Sequence, residues 1–429
     1  MKRKKQPERW FRLDNAGVMY SSLQQERYSA IYRFSAVMTH TVDTQALQNA
    51  IYKTMPRFPT FSVRIRRGLF WYYFEPNHAP GPFVKTDVSD PCQPVRFDED
   101  NGWLVRFYAY EKRISIECFH ALSDGAGAIT FFKTLLACYL RECGHEIPIA
   151  DGILDVEGQP NPEEFEDAYS RYALKHIHWK APHLSPAYQN VGTAEPFYTF
   201  HVTMGFLPVD QLKTKAKQYG ASITEYLAAV LMWVLIQKQK RENPYRELPV
   251  ALAVPVNLRG LFPSKTLRNF IITVRPVVDP SLGEYTFQEI VDQVHHAMHL
   301  QTARQQLQAA ITQNVKTQNN LFLKIFPVVI KNPIIWLNYN LRGIKPYSAT
   351  FTNPGAFRVP AEMQKHIHHM ECILGQATVS RVHCAAISFG NRLEITFAGT
   401  QKETETERDF FRFLVQEGLP VRIESNRPE

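Results

Sequence analysis

The segment Cys118-Phe119-His120-Ala121-Leu122-Ser123-Asp124-Gly125-Ala126-Gly127 brings together residue types that can do acid–base chemistry. A neutral imidazole is the side chain best matched to general-base work near pH 7. An aspartate four residues later, followed by glycine, suits a helix cap or an ion pair. By itself the pair says little, because a chain with 15 histidines is expected to contain a His-x-x-x-Asp by chance. The surroundings say more. Ile114, Ile116 and Cys118 alternate on one face of a predicted strand, and His120 continues that phase past its end. Gly125 and Gly127 stand at the turn into a run from Ala128 to Leu140, where Ile129, Phe132 and Leu136 make a helical stripe. Glycines at such a turn let the backbone approach a substrate or a neighbouring strand closely. A helix N-terminus beside the ring would disfavour imidazolium and keep His120 a competent base.

Other reactive side chains have plainer readings. Cys118 lies on the same strand face as His120, but an apolar setting marks it as a small core residue rather than a nucleophile. Ser123 lacks the G-x-S-x-G setting of a hydrolase serine. His295 and His299 stand one helical turn apart, a spacing that can bind zinc. No glutamate adjoins them in the H-E-x-x-H manner and no third ligand is evident, so a solvated helix face is the preferred reading. His366 and His368 would share one face of an extended segment, with His369 on the other. No metal is expected.

The elements that must position His120 follow from periodicity. Gln45–Met55 is a predicted helix capped by Asp43, with Leu47, Ile51 and Met55 on one stripe. Phe61–Ile65 and Leu69–Phe74 form a predicted hairpin, and Trp103–Tyr110 with Arg113–Phe119 another. Prolines cluster between Ile147 and Pro196, which reads as a connection with one or two short helices. A second series follows: strand Tyr198–Leu207, apolar helix Ser222–Gln239, strands Leu248–Val256 and Asn269–Val278, and helix Tyr285–Gln305. Short strands Ala349–Phe351, Ala386–Phe389 and Leu393–Ala398 precede a last helix, Thr404–Gln416. The expected organisation is α/β in two related halves, residues 1–150 and 197–429, joined by a linker over 151–196.

The formal charge of +8 would suit an anionic partner such as nucleic acid, a membrane surface, a phosphorylated cofactor or an acidic carrier protein. The charge is dispersed, though, and the dense run Lys2-Arg3-Lys4-Lys5 reads as a solvated tail. No helix interleaves basic and aromatic residues on one face, which argues against nucleic acid. Six scattered cysteines in no metal-binding spacing fit a reducing compartment, and the first ten residues lack the apolar centre of a signal peptide. Lys324, Pro327, Lys331 and Pro333 interrupt the apolar stretch Leu321–Leu341, which is therefore not a spanning helix; it would line a pocket or pack between the halves. A cytoplasmic protein is expected.

The segment around His120 resembles the HxxxDG signature of the chloramphenicol-acetyltransferase-like superfamily, which includes alcohol acyltransferases, plant-type acyltransferases and the condensation domains of peptide synthetases. Arg12-Leu13-Asp14-Asn15-Ala16, Val254-Pro255-Val256-Asn257-Leu258-Arg259 and Phe351-Thr352-Asn353-Pro354-Gly355 are similar to segments of its alcohol-acetyltransferase-like branch. The resemblance implies two mixed sheets flanked by helices, with an active-site channel at their interface. It implies that His120 is the catalytic base, that Asp124 and Gly125 are structural, and that Arg259 pairs with Asp124. Phe119 stands where condensation domains usually carry a further histidine, and the plant-type D-F-G-W-G segment is absent. Acyl transfer from an acyl-CoA co-substrate to an alcohol is the implied activity. Carrier-protein-dependent condensation onto an amine, or non-catalytic binding, are its rivals. Since a thioester is already activated, one positioned base suffices, without a covalent acyl-enzyme. The oxyanion needs a donor, for which Thr352, Asn353 and Thr266 are candidates.

Overall fold

The computed structural model describes residues 11–23, 29–177, 179, 184–190, 192–196, 199–243, 245, 247–319, 325–339, 345–375 and 382–427. The N-terminal basic run, Tyr198 and parts of the Leu321–Leu341 stretch lie outside these residues.

Two large sheets organise the chain. The first has the order Ile367–Leu374, Ile31–Met38, Arg113–Phe119, Val105–Tyr110, Val84–Thr86, antiparallel except for its last pair. The second has the order Ile271–Val274, Val250–Asn257, Ala349–Ala356, His383–Phe389, Arg392–Gly399, His201–Pro208, Arg422–Ser425, with Ala349–Ala356 parallel to both its neighbours. A small sheet of Phe11–Arg12, Tyr72–Pro76 and Val63–Arg67 adjoins the first half.

Two strands of the first sheet, one central and one at its edge, escape the periodicity reading, for a physical reason. Ile31–Met38 is buried on both faces, yet it carries Arg33 and Ser35. Arg33 pairs with Asp87 and, at 3.2 Å, with Glu117, so its charge is compensated inside the fold. Ile367–Leu374 likewise buries His369 and Glu371, the latter 3.0 Å from Arg113. Polar residues whose partners sit on other strands erase the apolar alternation that marks a strand. The strand Ile367–Leu374 also comes from the 197–429 segment yet completes the sheet of the first half.

Other expected elements form with shifted ends. The helix Thr44–Thr54 is capped by Asp43, whose carboxylate accepts from the Gln45 and Ala46 amides. Helix Ile223–Glu242 is buried nearly all round, which explains its unbroken apolar run. The expected strand Asn269–Val278 is two strands, Ile271–Val274 and Val277–Val278, and the helix over 285–305 ends at Gln301 before a new one, Arg304–Gln318. The described part of the apolar stretch forms helix Val328–Asn338, packed against helix Asn15–Leu23. Val329, Ile330, Ile334 and Leu337 are exposed, so these side chains neither line an enclosed pocket nor fill a core. Among the described residues no single helix is long and apolar enough to cross a membrane.

Candidate active site

His120 follows directly on the strand Arg113–Phe119. Its amide donates to the Ala30 carbonyl at 2.8 Å, extending the ladder with Ile31–Met38 by one rung. Its carbonyl accepts from Asn269 Nδ2 at 2.9 Å. With both backbone groups held, the ring is confined by its neighbours. Tyr20 stacks on it with centroids 4.4 Å apart, and Tyr32 meets it edge-on at 4.9 Å. The ring is enclosed yet keeps partial access to solvent.

The Asn269 amide fixes the tautomer. Its Nδ2 faces the His120 carbonyl and the Asp14 carboxylate, at 3.5 Å from each oxygen of the latter. Those are acceptors, so the nitrogen side of the amide points there and Oδ1 faces His120 Nδ1 at 3.2 Å. Nδ1 therefore carries the hydrogen, and Nε2 is left with its lone pair. Removal from water pushes the imidazole below its ordinary value, against opposing contributions from Asp124 and Asn269. Burial thus favours the neutral ring.

Asp124 lies beneath the ring's loop, wholly buried, and all its acceptor capacity is used. Oδ1 accepts from the Gly127 amide at 3.0 Å as the cap of helix Gly125–Glu142. Oδ2 accepts from the Phe270 amide at 2.7 Å. Arg259 donates to both oxygens, at 2.8 and 3.2 Å. The same guanidinium donates to the carbonyls of Thr266 and Arg268 and to Asn257 Oδ1. A single arginine thereby ties the 257–268 loop to the motif turn. Tyr32 closes the turn from the other side, donating to the Ser123 carbonyl at 2.9 Å.

Of the two glycines, only Gly127 answers to close approach. A Cβ there would run into the Leu267 carbonyl and the Ser123 hydroxyl, whereas one at Gly125 meets only Phe34 at 3.8 Å. Ser123 Oγ donates to the Leu267 carbonyl at 2.5 Å, a cross-link between the two halves rather than a nucleophile's setting. Cys118 is fully buried and its thiol is pushed far up by that burial, in line with a core role.

The three expected oxyanion donors are not brought together. The Thr266 hydroxyl donates to the Glu166 carbonyl and accepts from the Arg268 amide. Asn353 donates to Thr224 and accepts from the Gly355 amide. Thr352 sits on the strand Ala349–Ala356 just before its bulge, its hydroxyl uncommitted among the described residues. His366 lies against His145 with tilted rings 4.0 Å apart, while the Nδ1 atoms of His368 and His369 meet at 2.8 Å between Arg392 and Glu371, so His366 and His368 do not act as a pair.

Sequence reasoning missed Asn269, Tyr20, Tyr32 and the part played by Asp14. Asp14 lay within the segment Arg12–Ala16, where the available signal was an aspartate ahead of a helix. It caps Asn15–Leu23 by accepting from the Gly17 amide at 2.7 Å and meets Arg268 at 3.5 Å. Asn269 had no signal beyond its position ten residues after Arg259.

No protein-family model matches the chain, and no curated protein matches it in sequence. Solved structures do. TRI101 of F. sporotrichioides, complexed with coenzyme A and T-2, superposes with a TM-score of 0.62 at 10% identity, over 97% of this chain and 99% of that one. The trichothecene 15-O-acetyltransferase TRI3 of Fusarium sporotrichioides gives 0.57 at 9% identity, over 95% and 94%. The starter condensation domain of rhizomide synthetase, in complex with C8-CoA and Leu-SNAC, gives 0.56 at 12% identity, over 95% and 94%. Such low identities speak to architecture alone. The chain has the two-sheet, chloramphenicol-acetyltransferase-like fold that these acyltransferase and condensation-domain structures share.

Proposed function

We propose that this chain is an acyltransferase that moves an acyl group from a CoA thioester to an alcohol, with His120 as general base. The observation that carries the reading is the Asn269 amide, which leaves Nε2 of a neutral, partly accessible imidazole as the acceptor. The fold supports the donor, since structures of this fold hold coenzyme A and C8-CoA.

In the reaction His120 Nε2 takes the hydroxyl proton as the acceptor oxygen attacks the thioester carbonyl carbon. The tetrahedral oxyanion collapses with cleavage of the carbon–sulfur bond. The imidazolium then returns its proton to the departing thiolate, giving an ester and free CoA. Asn269 and Tyr20 are positioning residues: the first sets the tautomer, the second restricts the ring's tilt. Thr352, with its hydroxyl uncommitted, is the best of the three oxyanion candidates. Asp124, Gly125 and Arg259 serve the loop rather than the chemistry. The acceptor and donor would reach the ring through a channel between the halves 1–150 and 197–429.

The test is thiol release. Purified protein with acetyl-CoA and mixed alcohols should liberate free thiol, and His120→Gln should abolish the release. Equal release by both proteins rules out His120 as the base. Release with amines but not with alcohols rules out the alcohol acceptor and favours condensation-type chemistry.

A further inference from the structure

His295 and His299 lacked a third partner in the sequence, and the structure supplies one. Both project from helix Phe287–Gln301, their ring centroids 4.3 Å apart, towards Glu225 in the first turn of helix Ile223–Glu242. Glu225 Oε1 lies 3.3 Å from His295 Nδ1 and 3.5 Å from His299 Nε2. One ligand atom from each of the three residues falls within 4.8 Å of the others.

The carboxylate is held ready. Glu225 completes a capping box, its Oε2 accepting from the Ser222 amide at 2.8 Å, which leaves Oε1 facing the two imidazoles. His295 Nδ1 is shut off from solvent and has no well-aligned hydrogen-bond partner among the described residues, although Oε1 is close by. A shielded ring nitrogen aimed at a carboxylate without a proper hydrogen bond marks a place made for something else. His296 is no rival, because its Nδ1 is bonded to the Asp292 carbonyl at 2.7 Å.

The spacing identifies the ligand class. Bonds of about 2.0–2.1 Å in a tetrahedral site set ligand atoms roughly 3.3–3.4 Å apart. The two carboxylate–imidazole separations, 3.3 and 3.5 Å, already match that edge. The imidazole ligand atoms lie within 4.8 Å of each other, and rotation of the exposed His299 side chain can set that third edge. Two nitrogens and one carboxylate oxygen suit a borderline transition metal and disfavour calcium or magnesium, which prefer oxygen ligands.

We propose that Glu225, His295 and His299 form a zinc-binding site, with water at the fourth position, that staples the start of one helix of the second half to the end of another. The site shares no residue with the His120 centre, so it stands or falls separately from the proposed activity.

Metal-stripped, full-length protein would be titrated with Zn2+ against a chromogenic indicator, and with Co2+ for its visible spectrum. One zinc equivalent and the intense visible bands of tetrahedral cobalt are expected. His299→Ala should weaken binding by more than the roughly 10–100-fold that loss of a mere outer-shell partner produces. Glu225→Gln keeps a capping side chain at its position but removes the anionic ligand, and should weaken binding as well. His296→Ala should bind as wild type. Zinc should also raise the melting temperature of wild type but not of His299→Ala. Absence of stoichiometric binding by wild type overturns the proposal, as does unchanged binding by both ligand variants.

Discussion

His120 and Asp124 stand four positions apart, and the two sites are built on opposite plans. Asp124 is saturated: both carboxylate oxygens accept two hydrogen bonds each, and the residue is sealed from water. His120 is left incomplete, since its backbone and Nδ1 are engaged while its ring keeps partial access to solvent and Nε2 keeps a lone pair. A buried charge must be fully partnered because the interior charges heavily for any deficit. A base must keep one valence unspent to have anything to offer a substrate. Within one turn the chain separates the residue that holds the loop from the residue that works on it.

The sharpest way to break that contrast is to exchange the consequences. His120→Gln should lower thiol release by roughly 10²–10⁴-fold, the contribution of a positioned base, with a melting transition close to wild type. Asp124→Ala should do the reverse in kind, costing on the order of 3–5 kcal/mol of stability because the half-buried Arg259 loses its carboxylate and the Gly127 and Phe270 amides lose their acceptor. A wild-type denaturation midpoint for Asp124→Ala, with activity gone, would falsify the structural assignment. Gly127→Ala should destabilise by a smaller margin, about 1–3 kcal/mol, as the Leu267 segment is forced away. Gly125→Ala should change chemical denaturation hardly at all, having only Phe34 to meet.

Asn269→Ala refines the contrast on the catalytic side. Without the amide, turnover should fall by about tenfold, part of what a positioned base provides. The amide's hydrogen bond favours the protonated ring, so its loss should also move the acid limb of the kcat/KM profile to lower pH. In the native protein that limb should lie below the ordinary imidazole value of about 6.5. The sign carries over to stability: the unfolded chain takes up this proton first, so acidification below that value removes stability until the native ring also protonates. An acid limb above 6.5, or one unmoved by Asn269→Ala, contradicts the assigned tautomer network.

Much of this was legible beforehand because it is local. Strand phase placed His120 beyond Phe119, and the aspartate–glycine step marked the cap of the long helix. The pairing of Asp124 with Arg259 followed from resemblance, and the geometry holds it at 2.8 Å. What could not be read depends on residues distant in the chain. Asn269 reaches His120 only because Arg259 and Ser123 draw the 257–268 loop onto the motif turn. Ile31–Met38 was hidden because Arg33 is neutralised by Asp87 and Glu117, neither of which announces itself beside Arg33. Glu225 went unread, because only packing of its helix against Phe287–Gln301 sets it before two histidines distant in the chain.

The strand Ile367–Leu374 has a consequence for how the chain is made. It forms the outer edge of the first sheet, yet the ribosome delivers it only after most of the second half has emerged. Until then the Ile31–Met38 strand presents an open row of amides and carbonyls, the kind of edge that recruits unwanted partners. A fragment stopping before Ile367 would carry that exposed border permanently, and the long loop that must close delays its cover in the intact chain. The halves are therefore born in sequence but mature together.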